Sequence, residues 1–237
     1  GTPEFGAIIL EELIKAGYKP ILVVTAPDKP VGRKQIITPP PVKVVAKKND
    51  IPIAQPEKIR NLKLEIRNLK PDLGIVAAYG EIIPKDILDI PKYGFINVHP
   101  SLLPKYRGPT PIQTAILNGD KKTGVTIILM DEKIDHGPII NQRALEIEKN
   151  ETATTLQNKL AEFGASLLLE TIQKWQKGML KTYPQDETKA TYTKILTRED
   201  GRVNWKKTAQ ALEKEVRAYT LWPESFTSWE RRGGVIF

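Results

Sequence analysis

Asn97, His99 and Ser101 stand at alternate positions of the stretch "FINVHPSLLPKYRGPTP", which begins at Phe95. The chain has only two histidines, His99 and His136, and no cysteine. In an extended segment, residues i and i+2 project to the same face, so the Asn97 amide and the His99 imidazole stand side by side. Asp135, in "MDEKIDHG", adds a carboxylate. An amide donor, an imidazole and a carboxylate suit acyl transfer to an amine. The amide N–H₂ and a protonated imidazole can stabilise the oxyanion of a tetrahedral intermediate. The carboxylate can orient the imidazole and hold it charged. The three can also move the proton that an attacking amine loses and a leaving nitrogen gains. No covalent enzyme intermediate is required, and Ser101 lacks the glycine pattern of a nucleophile elbow. Residue types and spacing alone leave structural readings open: a histidine closing a strand, an asparagine ending one, an aspartate opening a turn. His136 rivals His99 for the imidazole role, but adjacency to Asp135 makes their side chains diverge. One Asn, one His and one Asp do not form a convincing ligand set, so no metal is expected.

These groups need elements to hold them. Residues 6–17 carry apolar side chains at helical spacing and stop at Gly17. "PILVVTA" (20–26) reads as a buried strand. Residues 27–41 hold five prolines and a glycine and are expected to be irregular. Residues 42–50 and 61–70 read as helical. "DLGIVAAYG" (72–80), "GFINVH" (94–99) and "GVTIILM" (124–130) read as the second, third and fourth strands, with a helix over 111–120 ending at Gly119. Strands alternating with helices imply βαβ units: an α/β, Rossmann-like, mostly parallel sheet covered by helices on both faces. Ligands then bind beyond the carboxyl ends of the strands. His99 ends the third strand and residues 130–137 follow the fourth, which predicts that the two stretches meet at one edge of the sheet. Residues 151–178 carry the pattern of one long amphipathic helix. Residues 182–203 are polar and turn-rich, a linker or extended crossing, and 205–219 form another amphipathic helix.

Composition narrows the partners. The chain has 237 residues, of which 40% are hydrophobic, enough for a proper core. No apolar run approaches the roughly 20 residues that a membrane span needs, so no membrane is expected. No signal peptide is visible. The formal charge is +8. Half of it falls between Ala26 and Asp50, where Lys29, Arg33, Lys34, Lys43, Lys47 and Lys48 face only Asp28 and Asp50. A cationic, proline-rich loop suits a phosphate backbone, because its charges are pre-organised and little ordering entropy is lost on contact.

The segment from Gly94 to Ile140 resembles the signature region of the 10-formyltetrahydrofolate-dependent formyltransferases. That pattern runs Asn-x-His, Ser-Leu-Leu-Pro, Arg-Gly, a Thr-Gly-Val-Thr strand and Asp-x-Gly, all present here in order. The resemblance implies catalytic roles for Asn97, His99 and Asp135. It implies that Ser101, Leu102, Leu103 and Pro104 bind folate, and that Ala78, Tyr79 and Gly80, in "VAAYGEIIP", line the pterin pocket. The implied formyl donor is 10-formyltetrahydrofolate. Pro100 departs from the pattern, at a position where glycine is common.

"TAPDKPVGRKQIITPPPVKVVA" (25–46) is similar to the insertion loop of the family branch that acts on methionyl initiator tRNA. The resemblance implies that tRNA as acceptor and partner, with Lys29, Arg33 and Lys34 in contact with it. "GTPEF" resembles the turn after that branch's first strand, and "AYTLWPESF" the opening of its small C-terminal barrel. The implied organisation is a catalytic domain over 1–181 lacking its first strand, a linker over 182–203, and the start of a tRNA-contacting domain over 204–237. A monomer in a bacterial-type cytoplasm or an organellar matrix is expected. Two alternatives stand beside this reading: an amino-sugar N-formyltransferase with the same trio, and a non-catalytic RNA-binding module.

Overall fold

The computed structural model describes the chain apart from Arg33, Arg232, Gly233 and Phe237, and gives Glu230, Arg231 and residues 234–236 by backbone alone. The elements are α1 (Glu4–Lys15), β1 (Val23–Val24), β2 (Lys29–Val31), β3 (Ile36–Thr38), α2 (Pro41–Lys48), β4 (Ile53–Ala54), α3 (Lys63–Leu69) and β5 (Gly74–Val76). They continue with α4 (Lys85–Leu88), β6 (Phe95–His99), α5 (Pro111–Asn118), β7 (Lys122–Leu129), β8 (Ile139–Glu146), α6 (Ala153–Gln176), α7 (Ala209–Ala218), β9 (Trp229–Arg231) and β10 (Gly234–Ile236).

The α/β class is as expected, with β1–β4 and β5–β6 as parallel pairs. The main sheet runs β5-β6-β7-β8, and its last two strands are antiparallel to their neighbours. β8 carries no clear sequence signal, because it is an edge strand whose residues Gln142, Arg143 and Ala144 are polar or small and all exposed, with no apolar alternation. A second departure is in the proline-rich loop, where β2 and β3 pair as a short antiparallel hairpin. Pro30 fits because each strand of a two-stranded ribbon has a free edge that needs no N–H.

Alternation along β6 separates core from site. Ile96 and Val98 are fully buried in an apolar cluster with α1, α5, α6 and β7. At roughly 1.5–3 kcal/mol for each such side chain, this burial sets the register of the strand. Phe95 packs on the other face, against a cluster built from α3, α4 and β5. Asn97 and His99 share that second face. Helices therefore cover both sides of the sheet. Helix α6 is started by a Thr152–Thr155 capping box. It lies close on the sheet because Gly164 has no Cβ, which would stand 3.0 Å from the Val98 side chain.

The two parallel pairs do not join. An apolar cavity of about 320 Å³ separates β1 from β5, and none of Asn97, His99 or Asp135 lines it. Residues 182–203 are an ordered strap rather than a free linker. Arg107 bridges to Tyr192 and Ile139 to Tyr183, so the strap crosses beside the carboxyl end of β6. Among the described residues, no helix is long and apolar enough to cross a membrane.

Candidate active site

Because β7 is antiparallel to β6, its carboxyl end lies beside Ile96, not beside His99. The two stretches still meet at one edge of the sheet, as expected, though not as two neighbouring carboxyl ends. Asp135 still reaches the other two groups, because the loop between β7 and β8 folds back. Its neck is closed by Leu129 N–H donating to Pro138 O at 3.0 Å, and Met130 N–H to Phe95 O at 2.8 Å. Gly137 is required there: a Cβ would stand 1.9 Å from the Leu129 carbonyl oxygen. Asp135 itself sits in the left-handed region, at φ +48°. For a non-glycine residue this costs free energy, and such positions gather at functional sites. Ala78 (φ +48°) and Tyr106 (φ +66°) share that conformation around the same crevice.

The trio is thereby brought together. Asn97 Nδ2 donates to Asp135 Oδ1 at 3.1 Å, and His99 Nδ1 lies 3.4 Å from the same oxygen. Gly108 N–H donates to Asp135 Oδ2 at 2.8 Å. His99 is only 4% exposed, and its Nε2 donates to the Tyr106 carbonyl at 2.9 Å. A carbonyl and a carboxylate only accept, so the ring satisfies both neighbours only as a donor at both nitrogens. Burial raises the Asp135 carboxyl pKa. The His99 imidazole, with help from the Gly108 amide and Arg107, outweighs that and holds it below the ordinary value of 3.8. With Nε2 engaged, Nδ1 is the histidine donor left beside the Asn97 amide. The arrangement offers two donors and an anionic acceptor within one crevice.

The other expected residues divide. Ser101 is buried, its hydroxyl donating to Lys105 O at 2.6 Å. Leu103 is buried as well: Thr126 accepts from its N–H and Gln142 donates to its carbonyl. In this stretch Leu102 and Pro104 keep surface for a ligand. Ala78 and Gly80 are exposed and Tyr79 half-buried, its hydroxyl donating to Glu81 at 3.3 Å. They leave the sheet at its His99 end, since Val76 pairs with Asn97 in parallel. His136 turns from Asp135 toward Asp131, with Nδ1 at 2.5 Å. In the basic segment, Lys43 is paired with Asp28 at 2.7 Å, while Lys29 and Lys34 stand exposed on the β2–β3 hairpin. Arg33 lies outside the described residues. Among those described, no group of His, Asp or Glu is placed to hold a metal.

Sequence reasoning missed the residues that lock this crevice. Arg107 is 0% exposed. Its guanidinium donates to Gln185 at 3.0 and 2.8 Å, to Glu187 at 2.9 and 2.6 Å, and to the Tyr192 hydroxyl at 3.0 Å. Gln185, Glu187 and Tyr192 all belong to the strap, some 80 residues away in sequence, and no local pattern pairs them with Arg107.

A sequence profile of the formyl transferase family matches residues 1–172, and one of the formyl transferase C-terminal domain matches residues 195–236. The chain is 47% identical over 232 residues to a methionyl-tRNA formyltransferase of Halalkalibacterium halodurans, covering 97% of this chain and 73% of that protein. It is 45% identical over 238 residues to the methionyl-tRNA formyltransferase of Chloroflexus aggregans, covering 100% of this chain and 76% of that one. A solved N-formyltransferase from Helicobacter canadensis, in complex with folinic acid and dTDP-3-aminofucose, superposes with a TM-score of 0.70 at 25% identity, over 92% of this chain and 78% of its own. With a family profile over residues 1–172 and nearly half of all aligned residues in common with these relatives, the chain belongs to the formyl transferase family, among its methionyl-tRNA formyltransferases.

Proposed function

We infer that this protein transfers the formyl group of 10-formyltetrahydrofolate to the α-amine of methionyl initiator tRNA. One observation carries the chemistry: a mostly buried carboxylate that accepts from Asn97 and Gly108 and faces His99, at the carboxyl end of β6. The amine attacks the formyl carbon, and the carbonyl oxygen becomes an oxyanion. Asn97 Nδ2 has a second N–H for that oxygen beside the one given to Asp135, and His99 Nδ1 shares its N–H between Asp135 and the oxygen. Asp135 keeps the imidazole oriented as a donor. Through the same groups, the proton lost by the attacking nitrogen reaches the departing N10, so that tetrahydrofolate leaves neutral at that atom and N-formylmethionyl-tRNA is released.

Ala78, Tyr79 and Gly80, which follow β5 at the His99 end of the sheet, and Leu102 and Pro104, which follow β6, keep exposed surface there that suits a planar pterin. Lys29 and Lys34, exposed on the β2–β3 hairpin, suit a phosphate backbone. The tRNA acceptor is favoured over an amino sugar by that hairpin and by the identity to the two tRNA-acting relatives. The test is formyl transfer from 10-formyltetrahydrofolate with charged initiator methionyl-tRNA in one reaction and a nucleotide-linked amino sugar in another. Product with the tRNA is expected. Product with the sugar alone would overturn the acceptor while leaving the trio's chemistry in place.

A further inference from the structure

The loop that bears Asp135 is held from outside as well as by its own glycine. Gln185, on the strap, donates through Nε2 to the carbonyl oxygens of both Asp135 and Gly137, each at 2.8 Å. Its Oε1 accepts from Nε and Nη2 of Arg107. Arg107 immediately precedes Gly108, whose N–H grips Asp135 Oδ2. A single side-chain amide therefore ties the backbone on either side of the loop's tip to the arginine next to the carboxylate's own donor. The two carbonyls it binds flank His136, which reaches Asp131 within the loop and lies 3.6 Å from Glu187 on the strap.

Resting on the formyl-transfer reading above, we propose that Gln185 is a positioning residue for the reaction, fixing the left-handed backbone of Asp135 so that its carboxylate meets Asn97 and His99 in register. The amide suits this task because it is a donor at one end and an acceptor at the other. The loop presents only carbonyls and Arg107 only N–H groups, so a carboxylate fails the loop, an amine fails the arginine, and a hydroxyl, with a single donor, cannot serve both carbonyls. Without the tie, the strained φ of Asp135 has only Gly137 and the carboxylate's own hydrogen bonds to maintain it. Displacement of a reacting group by about 1 Å costs on the order of 100-fold in rate.

Two variants test this. Gln185→Ala removes both halves of the tie. Gln185→Glu keeps an oxygen for Arg107 but sets a second oxygen against the Asp135 and Gly137 carbonyls, so it releases the loop while the arginine stays held. Both are expected to lower kcat by roughly 10- to 100-fold, with KM for either substrate within about 3-fold of the parent. In both, the Asp135 carboxyl, followed by ¹³C NMR, is expected to titrate closer to the ordinary carboxylate range. Loss of the interactions with His99, Gly108 and Arg107 that now hold it low is the cause. Wild-type kcat and an unmoved Asp135 titration in Gln185→Glu would overturn the proposal. So would a fall in kcat that merely tracks the unfolded fraction while the folded protein's titration stays put. The titration needs no substrate, so it decides the role of Gln185 even where the parent protein formylates neither acceptor.

Discussion

Asp135→Asn changes one atom and separates folding from chemistry. The carboxylate now meets only donors: Asn97 Nδ2 at 3.1 Å, His99 Nδ1 at 3.4 Å and Gly108 N at 2.8 Å. An asparagine has one acceptor and one donor end. With its amide nitrogen toward Gly108, two donors collide, and a buried unsatisfied donor costs about 1–3 kcal/mol. Turned the other way, it keeps the Gly108 bond and offers its N–H₂ to His99. The ring can accept that bond only as a neutral imidazole with Nδ1 unprotonated, because Nε2 must keep its proton for the Tyr106 carbonyl. The second arrangement sets its N–H₂ against Asn97 Nδ2, a donor conflict that rotation of the Asn97 amide relieves, so stability should fall by no more than about 2 kcal/mol. The crevice, however, loses the imidazole donor and its proton relay. We expect kcat to drop by about 10²–10⁴-fold, equivalent to roughly 3–5 kcal/mol at 1.36 kcal/mol per decade, with KM little changed. Single-turnover formylation of methionyl-tRNA, beside urea unfolding of the same sample, measures both. A kcat within about 5-fold of the parent, in a variant that stays folded, would refute the assignment of Asp135. The same carboxylate makes stability depend on pH. Its folded pKa lies below 3.8, so its contribution is complete above that value and disappears as pH falls through the lower folded one. The parent's advantage over Asp135→Asn in urea midpoint should shrink across that acid window.

Gly137→Ala places a methyl 1.9 Å from the Leu129 carbonyl oxygen; the loop neck must open, and we expect a loss of about 2–4 kcal/mol together with a fall in kcat, while an unchanged melting temperature would contradict the fold-back argument. Arg107→Lys replaces a planar fork that spans Gln185, Glu187 and Tyr192 with a point charge that cannot reach all three. The loss should be about 2–3 kcal/mol, tempered because Glu187 is 56% exposed and rehydrates readily; chemical denaturation reads it, and a change under about 0.5 kcal/mol would count against a structural role for Arg107. Replacing Lys29 and Lys34 together by alanine should raise KM for the tRNA by about 10-fold with kcat within about 3-fold, and flatten the salt dependence of KM. An equal effect on a short amino-acyl acceptor lacking the tRNA body would show that the hairpin acts on chemistry instead.

The strands at 72–80, 94–99 and 124–130 were legible because β-branched and apolar residues alternate or run together there. The helix at 111–120 was legible because Pro111 starts it and Gly119, at φ +69°, ends it in the left-handed conformation. Asn97 and His99 were legible as a pair because strand geometry alone puts them on one face. β8 was not, since its exposed face blurs the alternation. The β2–β3 hairpin was hidden by its prolines, which forbid a central strand but not a free-edged ribbon.

By itself, then, the sequence determined the α/β class and the strand face that Asn97 and His99 share, and it offered these two with Asp135 as candidates for acyl transfer. These follow from periodicities of two and 3.6 residues and from chemistry written in residue types. Strand direction lay beyond it. An antiparallel β7 sends its carboxyl end away from His99, and only the fold-back around Gly137 returns Asp135 to the trio. Nor could it pair Arg107 with Gln185 and Glu187 across roughly 80 residues, because no local spacing encodes a contact that forms only when the strap is laid across the finished sheet. Local pattern selected the groups, and long-range packing set the distances and donor–acceptor geometry on which their chemistry depends.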